Sequence, residues 1–383
     1  MSHFSVIVAG GSISGLMAAR EAARAGATVA VVEEDAEIGT PEHCGGLVSM
    51  EGMKNLGLVP DAGAIENSRI KKAKILSPSK GFELSAEKQK VVVLDRRALD
   101  KQVALQAQKA GAEIRVKCSV RSFAKDGARY AVKTSEGDFT CDYFVDARGV
   151  SSIINRNREG VLSSAQYEVY APWIERDTIE VAFDSEKYPG FFAWVIPTGE
   201  GRGKVGVAGK GINAANALQS YMDSKGSHSA VRKVYAPIWV MGPIESFVSG
   251  RTVTVGDAAG QTKPTTAGGI YTCGMGGLYA GNAIAKAMAE GDGALGKYQS
   301  GWSAMFGDEF SKMLLARRLL ERLDNKALDE LFSVIPKDKL DEASATGDFD
   351  FHAAALSKIL GVKSAAKMAK ALLGNEIRRL VDG

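Results

Sequence analysis

The chain is predicted to be α/β: a parallel, Rossmann-like sheet interrupted by an inserted antiparallel β-sheet domain and followed by a helical C-terminal region. Three observations predict this. A strand–turn–helix signal opens the chain, with Phe4 to Ala9 running into Gly10-Gly11-Ser12-Ile13-Ser14-Gly15 and an alanine-rich segment. A second such signal, Thr252-Val253-Thr254-Val255-Gly256-Asp257 followed by Gly268-Gly269-Ile270, comes most of a domain later. Residues 166–247, between the two, read as mostly β. A chain that leaves one nucleotide-binding sheet and later returns to it carries its second domain as an insertion.

Taken in order, Val6, Ile7 and Val8 form a short buried parallel strand. Gly10 permits the tight turn and Gly15 the close approach of helix to strand. The backbone at Ser12, Ile13 and Ser14 then offers helix N-terminal N–H groups to a pyrophosphate. Ser12 stands where the G-x-G-x-x-G pattern has its middle glycine. The next strand, 28–32, ends at Glu33 with Glu34 beside it. A carboxylate about twenty residues beyond the turn suits ribose hydroxyls and repels a 2′-phosphate, so NADP is not expected here. A glycine-rich loop and short helix fill 41–60, and strand-like runs follow at 73–77, 81–84 and 91–94. A helix is expected over 97–110, with Leu99, Val103 and Ala107 on one stripe. Residues 112–146 read as strand, hairpin and strand, the helix after Gly269 runs to about 289, and the chain from Gly296 onward is helical. Cofactor binding is expected from 1–65, 90–155 and 248–295, substrate binding from 66–89 and 156–247, with 296–383 as the helical region.

Composition narrows the function classes. The 383 residues carry a net charge of only +3, and no Lys/Arg block interleaves with aromatics, so nucleic acid is not an expected partner. The four cysteines, Cys44, Cys118, Cys141 and Cys273, form no C-x-x-C pair, so neither zinc nor an iron–sulfur cluster is expected. No basic n-region opens the chain and no apolar run approaches a membrane span, which points to the cytoplasm.

Three further segments carry a family resemblance. Asp142-Tyr143-Phe144-Val145-Asp146-Ala147-Arg148-Gly149, the Arg96-Arg97-Ala98-Leu99-Asp100 run and Gly256-Asp257-Ala258-Ala259 resemble, in order and spacing, the FAD-contacting motifs of the p-hydroxybenzoate hydroxylase-like superfamily. The resemblance implies one extended FAD held by the Gly10–Gly15 turn, Glu33, Arg96, Gly149, Gly256 and Asp257. Within that superfamily, Cys44-Gly45-Gly46-Leu47-Val48-Ser49 is similar to the C-[AG]-G-[LE]-x-S loop of archaeal-type geranylgeranyl reductases. Pro189 to Pro197 resembles their P-x-x-Y-x-W-x-F-P motif, with Phe192 for the tyrosine and Ile196 for the second aromatic. Pro264-Thr265-Thr266-Ala267-Gly268-Gly269-Ile270 resembles their P-x-T-G-G-G-I loop, with Ala267 for one glycine.

That resemblance implies an FAD-dependent reductase that saturates the double bonds of a prenyl lipid or prenyl diphosphate. NADPH, NADH or a ferredoxin-like protein would be the electron donor. It places Cys44, Gly45 and Gly46 in the catalytic loop and Ala267, Gly268, Gly269 and Ile270 beside the isoalloxazine. Phe192, Trp194, Ile196 and Pro197 then line the substrate cavity. Strand alternation puts Phe191 on the opposite face, in the core. Cys44 has three open roles: proton donor, flavin partner or pocket spacer. His43 is expected at the solvated surface, and Cys118, Cys141 and Cys273 are expected to be structural. The basic C-terminal stretch, with Lys358, Lys363, Lys367, Lys370, Arg378 and Arg379, suits either a solvated helix face or peripheral contact with an anionic membrane. A flavin monooxygenase acting on an apolar or aromatic substrate is the alternative on the same fold. Oxygen separates the two, because only the monooxygenase consumes it.

Overall fold

The computed structural model describes residues 2–353. The basic C-terminal stretch expected beyond that point lies outside the described residues.

Two large sheets and one small one organise the chain. In the first, Val248–Ser249, Thr252–Thr254, Gly137–Asp146, Ser2–Ala9, Val29–Val32 and Glu113–Arg115 lie side by side. All these pairings are parallel except the outermost, Val248–Ser249 against Thr252–Thr254. The register aligns the strand ends: Ala9 lies opposite both Asp146 and Val32, and Asp146 opposite Thr254. The turns at Gly10, Ala147 and Gly256, and the carboxylate of Glu33, therefore emerge along one edge. That edge, at the C-terminal ends of parallel strands, is where open α/β sheets bind ligands.

One face of this sheet is covered by helices Ile13–Arg24, Arg96–Lys109 and Ile270–Glu290. Small residues set their spacing: a methyl group on Gly277 or Gly281 would strike the carbonyl oxygen of Ser14 or Ala18. Helix Gly296–Leu320 then adds Trp302, Phe306 and Phe310 to the same core. On the other face the hairpin Val120–Asp126/Arg129–Thr134 lays Phe123 on Phe144, with ring centroids 4.4 Å apart.

The second sheet runs Ser229–Tyr235, Val161–Tyr170, Arg202–Gly209, Ala193–Gly199, Thr178–Ala182, Lys72–Leu76 and Gly81–Ser85. It is antiparallel except where Lys72–Leu76 joins Thr178–Ala182. The β-rich reading of 166–247 misses one element, the helix Ala214–Lys225. Its start is marked by Asn213, whose side chain accepts the Asn216 N–H at 3.1 Å as an N-cap does. Leu218 and Met222 bury its inner face on the sheet. The third sheet, Leu47–Ser49, Val91–Leu94 and Ile65–Asn67, sits between the two large ones.

Candidate functional site

Four chain segments meet at the strand edge. Gly10 has φ +110°, outside the range of most side chains, and a methyl group there would strike the Ala147 carbonyl. One on Gly15 would strike the Gly10 carbonyl, and one on Gly256 the Ser14 hydroxyl. The predicted turn residues thus form a close-packed cradle with no room for a side chain at Gly10, Gly15 or Gly256. Ser12, the N-cap of helix Ile13–Arg24, makes no side-chain cap, so the first helical N–H groups have no capping side chain among the described residues. Glu33 accepts the Gly11 N–H at 2.6 Å and the Asp35 N–H at 2.9 Å. Burial raises its pKa, against the lowering effect of those two N–H bonds. Glu34 is exposed.

The second glycine-rich turn closes the cradle. Asp257 accepts the Thr262 hydroxyl at 2.8 Å, and a methyl group on Gly269 or on Gly149 would come within 3.5 or 3.9 Å of it. Gly269 begins helix Ile270–Glu290, again with no side-chain cap among the described residues. Cys273, expected to be structural, is buried, and its thiol also lies 3.4 Å from the Asp257 carboxylate. Burial, followed by the Asp257 charge, pushes that thiol's pKa far up. Its position one turn into the helix after Gly269 is the signal that could have found it. Cys118 and Cys141 do lie in the core.

The remaining predicted residues gather on either side of the second sheet's strand Ala193–Gly199. Ser49, last in the cysteine-loop motif, caps helix Met50–Asn55 by accepting the Gly52 N–H at 2.8 Å. Gly46, at φ +78°, brings the loop onto Leu94, where its carbonyl accepts the Leu94 N–H at 2.9 Å. A methyl group on Gly45 would collide with Ile196. Gln166, which the sequence reading missed, joins the two motifs: its Nε2 donates to the Cys44 carbonyl at 3.2 Å and its Oε1 accepts Trp194 Nε1 at 3.1 Å. The indole lies over Gly206, where a side chain would occupy the ring's space. Pro197 instead uses its carbonyl to accept Asn67 Nδ2 at 2.8 Å.

Arg96 Nη2 donates to both carboxylate oxygens of Asp100, at 2.9 and 3.0 Å. Burial opposes its charge, but Asp100 and then Cys44 raise its pKa. His43 is exposed, as expected.

A buried charge cluster holds the cysteine loop from behind. Glu42, fully buried, takes Lys204 Nζ at 2.7 Å, Arg232 Nη2 at 2.8 Å and the Arg96 N–H at 3.2 Å. Lys204, also fully buried, reaches Glu66 at 2.7 Å and the Leu94 carbonyl at 3.3 Å. Burial works against the Lys204 ammonium, yet Glu42 and Glu66 outweigh it and raise its pKa. Glu42 and Lys204 lie 162 positions apart in sequence, so no local pattern announces their pairing.

Phe191 is buried in an apolar cluster, as expected, but shares that cluster with Phe192 instead of lying on the opposite face. It lies before the strand begins, in a bend, and stacks on Phe192 with centroids 4.1 Å apart. Both rings line a cleft of 410 Å³ that also touches Thr265. Ala267, from the same loop, packs against the cluster containing Phe192 and Trp194. Its φ of +52° is the left-handed conformation for which the resembling motif has glycine, at a cost of about 1–2 kcal/mol for a residue with a Cβ. Behind this loop Lys263 donates to the Phe349 carbonyl at 3.0 Å and Thr265 bonds His352 at 2.6 Å. Burial and the neighbouring Lys263 lower the His352 pKa to about 3, keeping it neutral.

Comparison with known proteins supports the cradle. A family model described as an FAD binding domain matches residues 3–301. Digeranylgeranylglycerophospholipid reductase 2 of Methanopyrus kandleri is 30% identical over 368 residues, spanning 88% of this chain and 92% of its own. The protein of the same name from Methanothermobacter thermautotrophicus is 31% identical over 351 residues, spanning 86% and 90%. The crystal structure of a geranylgeranyl bacteriochlorophyll reductase-like protein from Thermoplasma acidophilum aligns with a TM-score of 0.84 at 25% identity, covering 97% of this chain and 98% of that one. The glycines that a Cβ would fill and the two helix starts without side-chain caps fit the dinucleotide this family model implies.

Proposed function

The chain belongs to the digeranylgeranylglycerophospholipid reductase family of FAD-binding proteins, and on that premise we propose that it saturates carbon–carbon double bonds in the geranylgeranyl chains of an ether-type phospholipid. One observation of this chain carries the reading: Gln166 ties the Cys44 loop directly to Trp194, so that the cysteine motif and the aromatic motif form a single wall.

When bound and reduced, FAD supplies the hydride for one alkene carbon; a proton completes the other. The chain's own residues provide the rest. The first turn of helix Ile13–Arg24, Gly15 included, offers backbone N–H groups to the pyrophosphate, and Glu33 suits the ribose. The start of helix Ile270–Glu290 presents partial positive charge that would favour negative charge on a group bound there. Phe192, Trp194 and Ile196 give the apolar surface that orients a prenyl chain and excludes water. Cys44, whose Sγ accepts the Gly46 N–H at 3.4 Å, is the side chain proposed to supply that proton. On this reading 1–65, 90–155 and 248–295 serve the cofactor, and 66–89 and 156–247 the substrate. Contact with the lipid substrate is proposed at the cytoplasmic bilayer surface; no helix among the described residues is long and apolar enough to cross a membrane.

Strictly anaerobic turnover tests the class of reaction. A reductase saturates prenyl lipid without oxygen, whereas substrate-dependent oxygen uptake would identify the monooxygenase alternative. Two substitutions test the site. Glu33→Arg is expected to weaken FAD retention by about tenfold or more, because a charge-assisted acceptor is lost and a bulky cation put in its place; FAD released on denaturation measures it. Cys44→Ser is expected to slow alkene reduction while dithionite reduction of the flavin keeps its rate, as read by stopped flow followed by single turnover. Unchanged rates in both half-reactions would reduce Cys44 to a spacer.

A further inference from the structure

We propose that the cleft between the inserted sheet and the C-terminal helices binds the phosphate of the lipid substrate through the guanidinium of Arg317. The inference rests on the reductase reading above. The cleft holds 410 Å³, with Phe183, Phe191 and Phe192 on one wall and Leu320, Leu323 and Leu328 on the other. Thr265, from the loop behind the proposed flavin site, also lines it, so the cleft opens onto the same machinery.

Arg317 is out of place in such a lining. Its side chain is only 5% exposed. Nη2 pairs with Glu321, Nη1 reaches the Pro264 carbonyl at a long 3.4 Å, and Nε has no hydrogen-bond partner among the described residues. The guanidinium carbon lies 5.6 Å from the centroid of Phe191. A buried guanidinium with an unspent donor is costly unless an acceptor arrives, and its planar fork matches the oxygens of a phosphate. Burial lowers the Arg317 pKa despite Glu321, which is the cost an incoming anion would offset.

Most acids of the cleft are committed elsewhere. Asp184 accepts Asn325 Nδ2 at 3.0 Å and the backbone N–H groups of Glu186 and Lys187 at 3.1 Å each. Asp324 caps helix Asn325–Ser333 through the Ala327 N–H at 2.8 Å. Among the described residues Glu321 alone competes for the guanidinium, and its side chain is 37% exposed, so water can solvate it when a phosphate enters. The phosphate would sit at Arg317 while the adjoining apolar chain passes Phe191 and Phe192 toward Trp194.

Calorimetric binding to the FAD-loaded protein tests this with three probes: digeranylgeranylglyceryl phosphate, the same lipid lacking phosphate, and inorganic phosphate. Wild type is expected to prefer the phosphate lipid by about tenfold or more. Arg317→Gln should abolish that preference while leaving affinity for the phosphate-free lipid unchanged. Glu321→Gln, at a half-exposed side chain that folding tolerates, should tighten the phosphate lipid alone. No preference in wild type, equal loss of both lipids in Arg317→Gln, or no tightening in Glu321→Gln would overturn the proposal. Inorganic phosphate binding as tightly as the phosphate lipid would mark a free-anion site and overturn the lipid assignment. These readouts do not depend on catalysis: a wild-type protein that shows the phosphate preference but reduces neither lipid contradicts the reductase reading alone.

Discussion

Replacing Trp194 with alanine is expected to slow prenyl saturation about a hundredfold while FAD content stays near that of wild type. The magnitude is what about 1 Å of misplacement costs a reaction that depends on alignment. The indole is fixed on two sides, by Gln166 at 3.1 Å and by the side-chain-free surface of Gly206, so its removal loosens the wall facing the Cys44 loop. Single-turnover rates under excess reductant, set beside FAD stoichiometry and a thermal melt, separate this from a folding defect. Loss of flavin or of the folded state in Trp194→Ala would make the residue part of the sheet's core and remove it from the cavity.

The second large effect is on stability. Lys204→Met should destabilise the protein by about 3 kcal/mol, the lower end of what removing one partner of a buried ion pair costs. The low end is expected because Glu42 keeps Arg232 at 2.8 Å after the lysine is gone. Glu66 is left without its lysine, but its side chain is 23% exposed, so water moderates that part of the penalty. The urea midpoint should fall with little change in the slope of the transition. An unaltered midpoint would show that the cluster is solvated and does not brace the cysteine loop.

What was legible in the sequence was local. The strand Ser2–Ala9, the turn at Gly10, and the acid at Glu33 follow from periodicity and spacing within one β-α-β unit, and the structure puts Glu33 on the Gly11 N–H. The second turn was legible for the same reason, and strand register then brings Gly256 against Ser14. What escaped was either irregular or non-local. Phe191 lies in an apolar cluster as expected, but alternation does not hold one step before the strand starts, where a bend lets it stack on Phe192. Helix Ala214–Lys225 was hidden in a β-rich stretch although Asn213 marks its start. Gln166, Glu42 and Lys204 lie in unremarkable sequence contexts. Their significance comes from partners on other elements, which only the packing of the second sheet against the cysteine loop brings within reach.

The most direct test of the central claim is a mass measurement. The purified protein, its FAD reduced anaerobically, is mixed with a digeranylgeranylglycerophospholipid, and the extracted lipid is examined by mass spectrometry. The account predicts a product heavier by about two daltons for each alkene saturated, as hydride plus proton requires, with reoxidation of the flavin in step. A lipid of unchanged mass over a flavin that stays reduced, or a gain of one oxygen once air is admitted, would contradict it.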